Sequence, residues 1–448
     1  MLSEINQAKS SHKYKNISFK SKEHYLFESM DKSLRPLNSF VKSQENLSHT
    51  RFVQDVATNW IPKVVFTRSL ADFTEMSFLE FTESTLFYFA PPILGSFFQK
   101  GFSKFAPKMI RKQVSENIAK STAEILKEAK SPNNLIAKRA ASTKAAILLA
   151  CVSIPAAEYA LSFAKNLLTL KLFKQSNFNN IANLNKDTQN TETAEQQKQV
   201  EDSAKKHIKS AGKLSLATLA GSIVLAGFGH KSEALQKLSK VILQPGGTIN
   251  KALNKLGIKS QRIENALKTY MNFDFKVEDG KLGLSKGQLV VSTLTGFWGY
   301  NEAGKDRGRL DQLEVLTRVP IVVFYTIFGG EMFDYAFKHI LYNKNKFPDL
   351  IKKGVNGKIN IPTREELPAL AEKIAKLKNT SAQAEFSRLL KEKARITAIP
   401  YGFSLLFMGF LLAGITRFWT QYRFDQSKSQ NQDYNKFKGL IQPKNLFK

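Results

Sequence analysis

The chain has 448 residues, a formal charge of +29 and 42% apolar residues, with a single cysteine, Cys151. One cysteine excludes an intramolecular disulfide scaffold, and the ordinary apolar content excludes a wholly disordered chain. Lys dominates the charge, since only 14 of the 67 cations are Arg, and no zinc-ligand pair or aromatic-basic platform accompanies it. A nucleic-acid partner is therefore not expected.

The apolar residues sit in blocks between Lys-rich, Asn-rich stretches, the layout of an all-α, multi-pass helical membrane protein of four to six spans. Residues 1–48 are polar and lack a signal-peptide core, so they read as a poorly ordered N-terminal tail. Residues 49–174 form a first membrane half. It contains Ser84–Phe98, short and broken by Pro91-Pro92, and Ala145–Ala164, a span with one acid, Glu158, and a kink at Pro155. Cys151 lies in that second run and reads as a small buried side chain. Between the two, Lys100–Lys144 carries 11 cations against 3 acids.

Residues 175–213 read as a polar linker. Residues 214–288 form a middle segment that begins with Leu214–Gly229, 16 uncharged residues rich in the Gly and Ala that let membrane helices pack closely. Within it, Phe273–Leu284 alternates around Asp279-Gly280 as a small β-hairpin. Residues 289–420 form a second membrane half. Leu289–Tyr300 is too short to span, and Val319–Phe337 is long enough but holds Gly329-Gly330, Glu331 and Asp334. Lys338–Arg395 carries 14 cations against 6 acids, and Thr363–Glu366 has the pattern of a capping box. Ile396–Thr416 is the strongest span, with 21 uncharged residues closed by Arg417, Phe418 and Trp419 as interfacial anchors. Residues 421–448 are a basic tail. The basic segments read as amphipathic helices lying on a membrane or a partner, with the lipid bilayer and anionic lipid headgroups as the expected partners.

The two halves share a pattern about 239 residues apart. Val53, Val56 and Trp60 repeat the helical spacing of Val291, Leu294 and Trp298. Arg68, Asp72 and Glu75 are matched by Arg307, Asp311 and Glu314, both R-x3-D-x2-E. Each then has an apolar run with a backbone breaker, a basic stretch containing E-x-I-A-K (Glu116–Lys120 and Glu372–Lys376), and an apolar span carrying Ile-Pro. This order suggests an internal duplication, and repeated halves with interrupted helices occur in many transporters. The two R-x3-D-x2-E trios are a candidate repeated ion-pair cluster, either a gate or a structural network.

Glu158, Glu331 and Asp334 are candidate intramembrane charges, because an ionisable group at membrane depth is costly. Asp334 also has Lys338 one turn away. Gly299–Asp306 comes within one residue of a P-loop, but Asp306 stands where a hydroxyl would bind Mg²⁺. The six His are scattered, and no nucleophile motif occurs, so no catalytic, metal or cofactor site is expected. The sequence reads as a non-enzymatic membrane protein, transporter-like or scaffolding, of a bacterial cytoplasmic or an organellar membrane. The alternative is a soluble or peripheral helical protein that binds anionic lipid or another polyanion through its Lys-rich segments.

Overall fold

The computed structural model describes residues 26–45, 49–186, 192–274, 276–278, 281–283, 286–354 and 357–441. Its helices in chain order are α1 (Arg35–Glu45), α2 (His49–Val65), α3 (Leu70–Ser103), α4 (Lys108–Ile118), α5 (Thr122–Glu128), α6 (Leu135–Ala150), α7 (Ser153–Phe173) and α8 (Phe178–Ile181). There follow α9 (Ala194–Phe228), α10 (Glu233–Leu243), α11 (Pro245–Lys255), α12 (Gln261–Tyr270), α13 (Lys286–Arg307) and α14 (Arg309–Phe324). The last four are α15 (Gly330–Asn343), α16 (Leu367–Lys378), α17 (Ala382–Ser404) and α18 (Leu412–Ile441). Short π-helical stretches, Tyr325–Gly329 and Leu405–Leu411, join α14 to α15 and α17 to α18. The all-α expectation is met, and the hairpin forms as β1 (Lys276–Glu278) antiparallel to β2 (Lys281–Gly283). Its turn residues Asp279 and Gly280 lie outside the described residues.

The chain divides into two compact units, residues 1–46 with 334–400 and residues 47–333 with 401–448. In the smaller unit, Leu26, Met30, Leu34 and Val41 share a core with Leu350, Leu367, Phe386, Leu389 and Leu390. The described part of the N-terminal segment is therefore no loose tail. Its apolar residues recur at intervals of three and four, and that stripe supplies one wall of the core. Lys393 closes the edge on Glu45 at 2.8 Å. The capping box forms as expected, with Thr363 N–H donating to Glu366 at 2.8 Å ahead of α16. The second basic segment thus folds on itself, with its apolar faces turned inward.

In the larger unit, the first basic segment behaves alike. Val114, Ile118 and Ile125 of α4 and α5 are buried against Ala140, Ala145 and Ile147 of α6. Lys104, Lys108, Lys112, Lys127 and Lys130 face outward. The expected linker is also part of the fold: a capping box at Thr193 and Gln196 opens α9, which carries the polar Ala194–Lys213 stretch straight into the apolar one.

Among the described residues four helical stretches are long and apolar enough to cross a membrane: Leu135–Phe173, Ala194–Phe228, Arg309–Gly329 and Ala382–Gln430. These contain the expected blocks Ala145–Ala164 and Ile396–Thr416, nearly all of Leu214–Gly229, and Val319–Phe337 only as far as Gly329, while Ser84–Phe98 and Leu289–Tyr300 lie in helices with more charge. Two expected breaks fall elsewhere. α3 runs unbroken through Pro91-Pro92, because packing of Met76 and Leu79 before the prolines and Phe98 and Phe102 after them holds the helix across the missing donors. The chain bends at Cys151-Val152 and not at Pro155, which is the third residue of α7 and needs no helical donor there. Cys151 is half-buried at that bend.

Truncating Phe386, which is 0% exposed, is expected to cost roughly 3–5 kcal/mol. Met109→Ala, at a residue 94% exposed, should stay within about 0.5 kcal/mol of the parent. Chemical unfolding of the two variants in detergent checks the contrast, and equal midpoints would refute the assigned core.

Candidate functional site

The six residues of the repeated trios meet in one buried cluster within the larger unit. Each trio is laid out around a helix start. Ser69 caps α3 by accepting from Asp72 N–H at 3.0 Å, and Gly308 precedes α14 with φ +121°, a backbone setting few other residues adopt. Arg68 and Arg307 stand one residue before these caps. Asp72 and Asp311 are the third helical residues, and Glu75 and Glu314 the sixth. Carboxylates in a first turn are favoured by the positive end of the helix dipole.

The pairing is reciprocal. Arg68 reaches its own Asp72 (Nε to Oδ2, 3.4 Å) and Glu314 from the other trio (Nη2 to Oε2, 3.4 Å). Arg307 reaches its own Asp311 (Nε to Oδ2, 3.3 Å) and clamps Glu75 from the other trio with both terminal nitrogens, Nη2 to Oε2 at 3.1 Å. Two cations that the trios do not contain complete the set. Lys165 of α7 lies 3.2 Å from Glu75 and 3.9 Å from Asp311. Arg417 of α18 lies 3.1 Å from Asp72 and 3.0 Å from Glu314. Each added cation therefore bridges the Glu of one trio and the Asp of the other.

Four cations meet four carboxylates, so the cluster is neutral. That balance lets it stay buried: Asp72 and Glu75 are each 2% exposed, and Arg307 is 3% exposed. Burial, and then repulsion from Arg417, lowers the Arg68 pKa, although an arginine stays charged. Phe178 of α8 lies under both guanidinium groups, its ring centre 5.3 Å from Arg68 Cζ and 5.7 Å from Arg307 Cζ. Asn166 accepts from Arg307 at 3.1 Å and donates to the Ala303 carbonyl at 3.0 Å. The group encloses a void of about 20 Å³, the size of one water.

Sequence spacing missed Lys165, Asn166 and Phe178. The sequence signal for the extra cations is positional, since Lys165 and Arg417 each follow the Ile-Pro span of their half. Arg417 was expected as an interfacial anchor. Its tip instead turns inward to two carboxylates, and Phe418 and Trp419 beside it stay exposed.

Next to the cluster lies a larger cavity of about 260 Å³, with Leu79, Tyr300 and Arg318 shared between the two walls. Residues of α2, α3, α7, α13 and α14 line it, among them Lys63, Glu80, Glu83, Glu158 and Arg318. Lys63 pairs with Glu80, the Tyr300 hydroxyl donates to Glu83 at 2.9 Å, and the Ser292 hydroxyl donates to Glu158. Of the three expected intramembrane charges, only Glu158 belongs here. Asp334 lies in the smaller unit, half-exposed and paired with Lys338 at 2.6 Å. Glu331 is in α15, with its side chain outside what the structure describes. Glu80 and Glu83 precede the uncharged run that begins at Ser84, so hydropathy does not mark them.

Helix packing around both sites is reciprocal as well. α13 crosses α7 at Gly299, where a Cβ would come within 3.0 Å of the Tyr159 carbonyl oxygen. α2 crosses the π-helical turn after α17 at Gly409, where a Cβ would come within 2.8 Å of Pro62. The first helix of each half therefore packs on the last span of the other. The near P-loop is absent as a loop, since Gly299–Asp306 lies inside the continuous helix α13. Asp306 accepts from Ser203 at 2.7 Å, and burial raises its pKa above the usual carboxylate range. Among the described residues no group of His, Cys, Asp and Glu is arranged to hold a metal.

Comparison with protein-family models, curated proteins and solved structures found no match.

Glu75→Gln removes the charge that faces Arg307 and Lys165, with an expected destabilisation of roughly 3–5 kcal/mol. Arg68→Gln should cost less, because Arg68 is partly open and both its ion pairs are 3.4 Å long. Exchanging Arg307 and Glu75 (Arg307→Glu with Glu75→Arg) should recover part of the loss. Unfolding midpoints in detergent decide this, and a Glu75→Gln variant as stable as the parent would refute the cluster as a clasp.

Proposed function

We propose that the protein is an integral membrane protein built by internal duplication, and that it works as a transporter-like component. The observation that carries this reading is the reciprocal pairing of the two trios, Arg68 with Glu314 and Arg307 with Glu75. Two equivalent helix starts clasp each other, and each half lends its last span to the other's first helix. Such an arrangement, with a polar cavity between the halves and π-helical interruptions nearby, is the architecture of alternating-access carriers at the level of principle. Ion pairs that can exchange partners suit a clasp that opens, and carboxylates in a cavity at apolar-helix depth suit a ligand site.

Membrane insertion is supported by where the apolar surface points. Only 17% of the most apolar window is buried within the protein in Arg309–Gly329, and likewise in Ala382–Gln430. A soluble core would enclose those residues, whereas Leu406, Ile415 and Phe418 face outward. The outward lysines of α4 and α5 favour an anionic headgroup as a lipid partner on that face.

The protein is expected to stay in the membrane pellet at alkaline pH and high salt and to leave it only in detergent. Release without detergent would refute insertion. For transport, the readout is a single cysteine at Thr326, on the cavity wall, in a Cys151→Ala background. Membrane-impermeant thiol reagents should label it from either side of the membrane. Labelling from one side alone, or from neither, would leave a scaffold and overturn the transport reading.

A further inference from the structure

The two polar sites differ in one physical respect: the ion-pair cluster is neutral and the cavity is not. Its wall carries three carboxylates, Glu80, Glu83 and Glu158, against two cations, Lys63 and Arg318. Lys63 is taken by Glu80. Among the described residues Glu83 and Glu158 form no ion pair within 4 Å, and each accepts a hydrogen bond from a hydroxyl, of Tyr300 and Ser292 respectively, with Lys63 and Arg318 acting on Glu83 only at longer range. A hydroxyl satisfies one acceptor but supplies no countercharge, which in a bundle of apolar helices favours a cation arriving from outside. Arg318 is shared, since Glu314 of the neighbouring cluster also feels its charge.

The rest of the wall narrows what restores the balance. At about 260 Å³ the space is many times the ~30 Å³ share of one water. A bare metal ion needs several converging oxygen ligands at close range. No metal-holding group of acids exists among the described residues. Phe87, Tyr88 and Phe297 line the cavity beside Val319, Val322 and Val323. Aromatic faces with a nearby carboxylate are the chemistry that holds an alkylammonium group, whose charge is diffuse and whose carbons want apolar contact.

We propose that this cavity binds a small organic cation of the alkylammonium class, with its positive charge held by Glu158 and Glu83 and its carbons against the Phe87, Tyr88 and Phe297 wall. The inference deepens the transport reading by naming the ligand class of the same cavity. Binding is measured apart from flux, so that either can fail alone.

The test uses the full chain in detergent, with thermal unfolding followed in methylammonium, tetramethylammonium or choline chloride against potassium chloride at equal ionic strength. At least one alkylammonium is expected to raise the midpoint saturably over potassium. Glu158→Gln should abolish that rise while leaving the unliganded protein folded, since it removes a surplus charge and keeps a group able to accept from Ser292. Gly296→Leu supplies an independent check. A Cβ built at Gly296 meets nothing within 4 Å, and Gly296 lines the cavity, so a leucine there starts into open space. It should weaken binding at least tenfold with the carboxylates intact. No rise over potassium with any of the three cations, or an equal rise in Gly296→Leu, would overturn the proposal. Binding without uptake of the same cation into proteoliposomes would leave this site standing and remove the transport reading.

Discussion

Eight ionisable groups packed together, seven of them buried and Arg68 partly open, are the constraint around which the larger unit is arranged. Removing each from water costs several kcal/mol, and only close, complete pairing compensates. Arg68, Lys165, Arg307 and Arg417 therefore need Asp72, Glu75, Asp311 and Glu314 within reach at once. Those residues come from the starts of α3 and α14 and the residues just before them, Arg68 and the α13 terminus Arg307, and from the bodies of α7 and α18. The requirement brings four helices distant in sequence to one point and fixes their register there. Gly299 and Gly409 serve the same end, allowing the helix crossings that bring α7 and α18 close enough for Lys165 and Arg417 to arrive.

The neighbouring cavity shows what happens where that pairing stops. One wall belongs to the neutral cluster through Tyr300 and Arg318, and the other carries Glu83 and Glu158, satisfied by hydroxyls. A balanced network beside a space with surplus charge divides the labour. The first holds helices in place, and the second offers an interaction that the protein does not complete by itself. Under the proposed transport function, these are the clasp and the chamber.

Charge elsewhere has a plainer role. The two Lys-rich stretches differ in sequence, yet both turn their apolar stripes inward, Val114 and Ile118 onto α6 and Leu389 and Leu390 into the smaller unit's core. Most of their lysines are left in solvent, while Lys144 and Lys393 are buried and paired with Asp274 and Glu45. Two strongly apolar stretches, Arg309–Gly329 and Ala382–Gln430, do the opposite, the latter exposing Leu406, Phe407 and Ile415, whereas half of the apolar window in Leu135–Phe173 is buried. The protein thus buries the apolar stripes of its Lys-rich helices and exposes much of its longest uncharged ones, a partition compatible with a bilayer.

Much of this was legible in the sequence. Uncharged length alone marks Ile396–Thr416 as helical and outward-facing, because only a helix satisfies its own backbone without water. The R-x3-D-x2-E spacing marks Arg68, Asp72, Glu75 and their counterparts, since third- and sixth-residue acids after a helix cap share one face in any helix. Local pattern also carried the hairpin at 276–283 and the cap at Thr363. Partners across space were not legible. Nothing near Lys165 or Arg417 in sequence says that each bridges carboxylates from both trios, and Glu80 and Glu83 look like ordinary polar positions until Tyr300 and Glu158 lie across the cavity from them. Helix-breaking residues misled for the same reason. Pro91-Pro92 breaks an isolated helix, but tertiary packing on both sides carried α3 through. The sequence by itself determined which residues are helical, apolar or charged, because those depend on near neighbours. The tertiary structure decided which charges are neutralised and which are left over, because pair energy depends on distance and burial, and neither is a property of a residue alone.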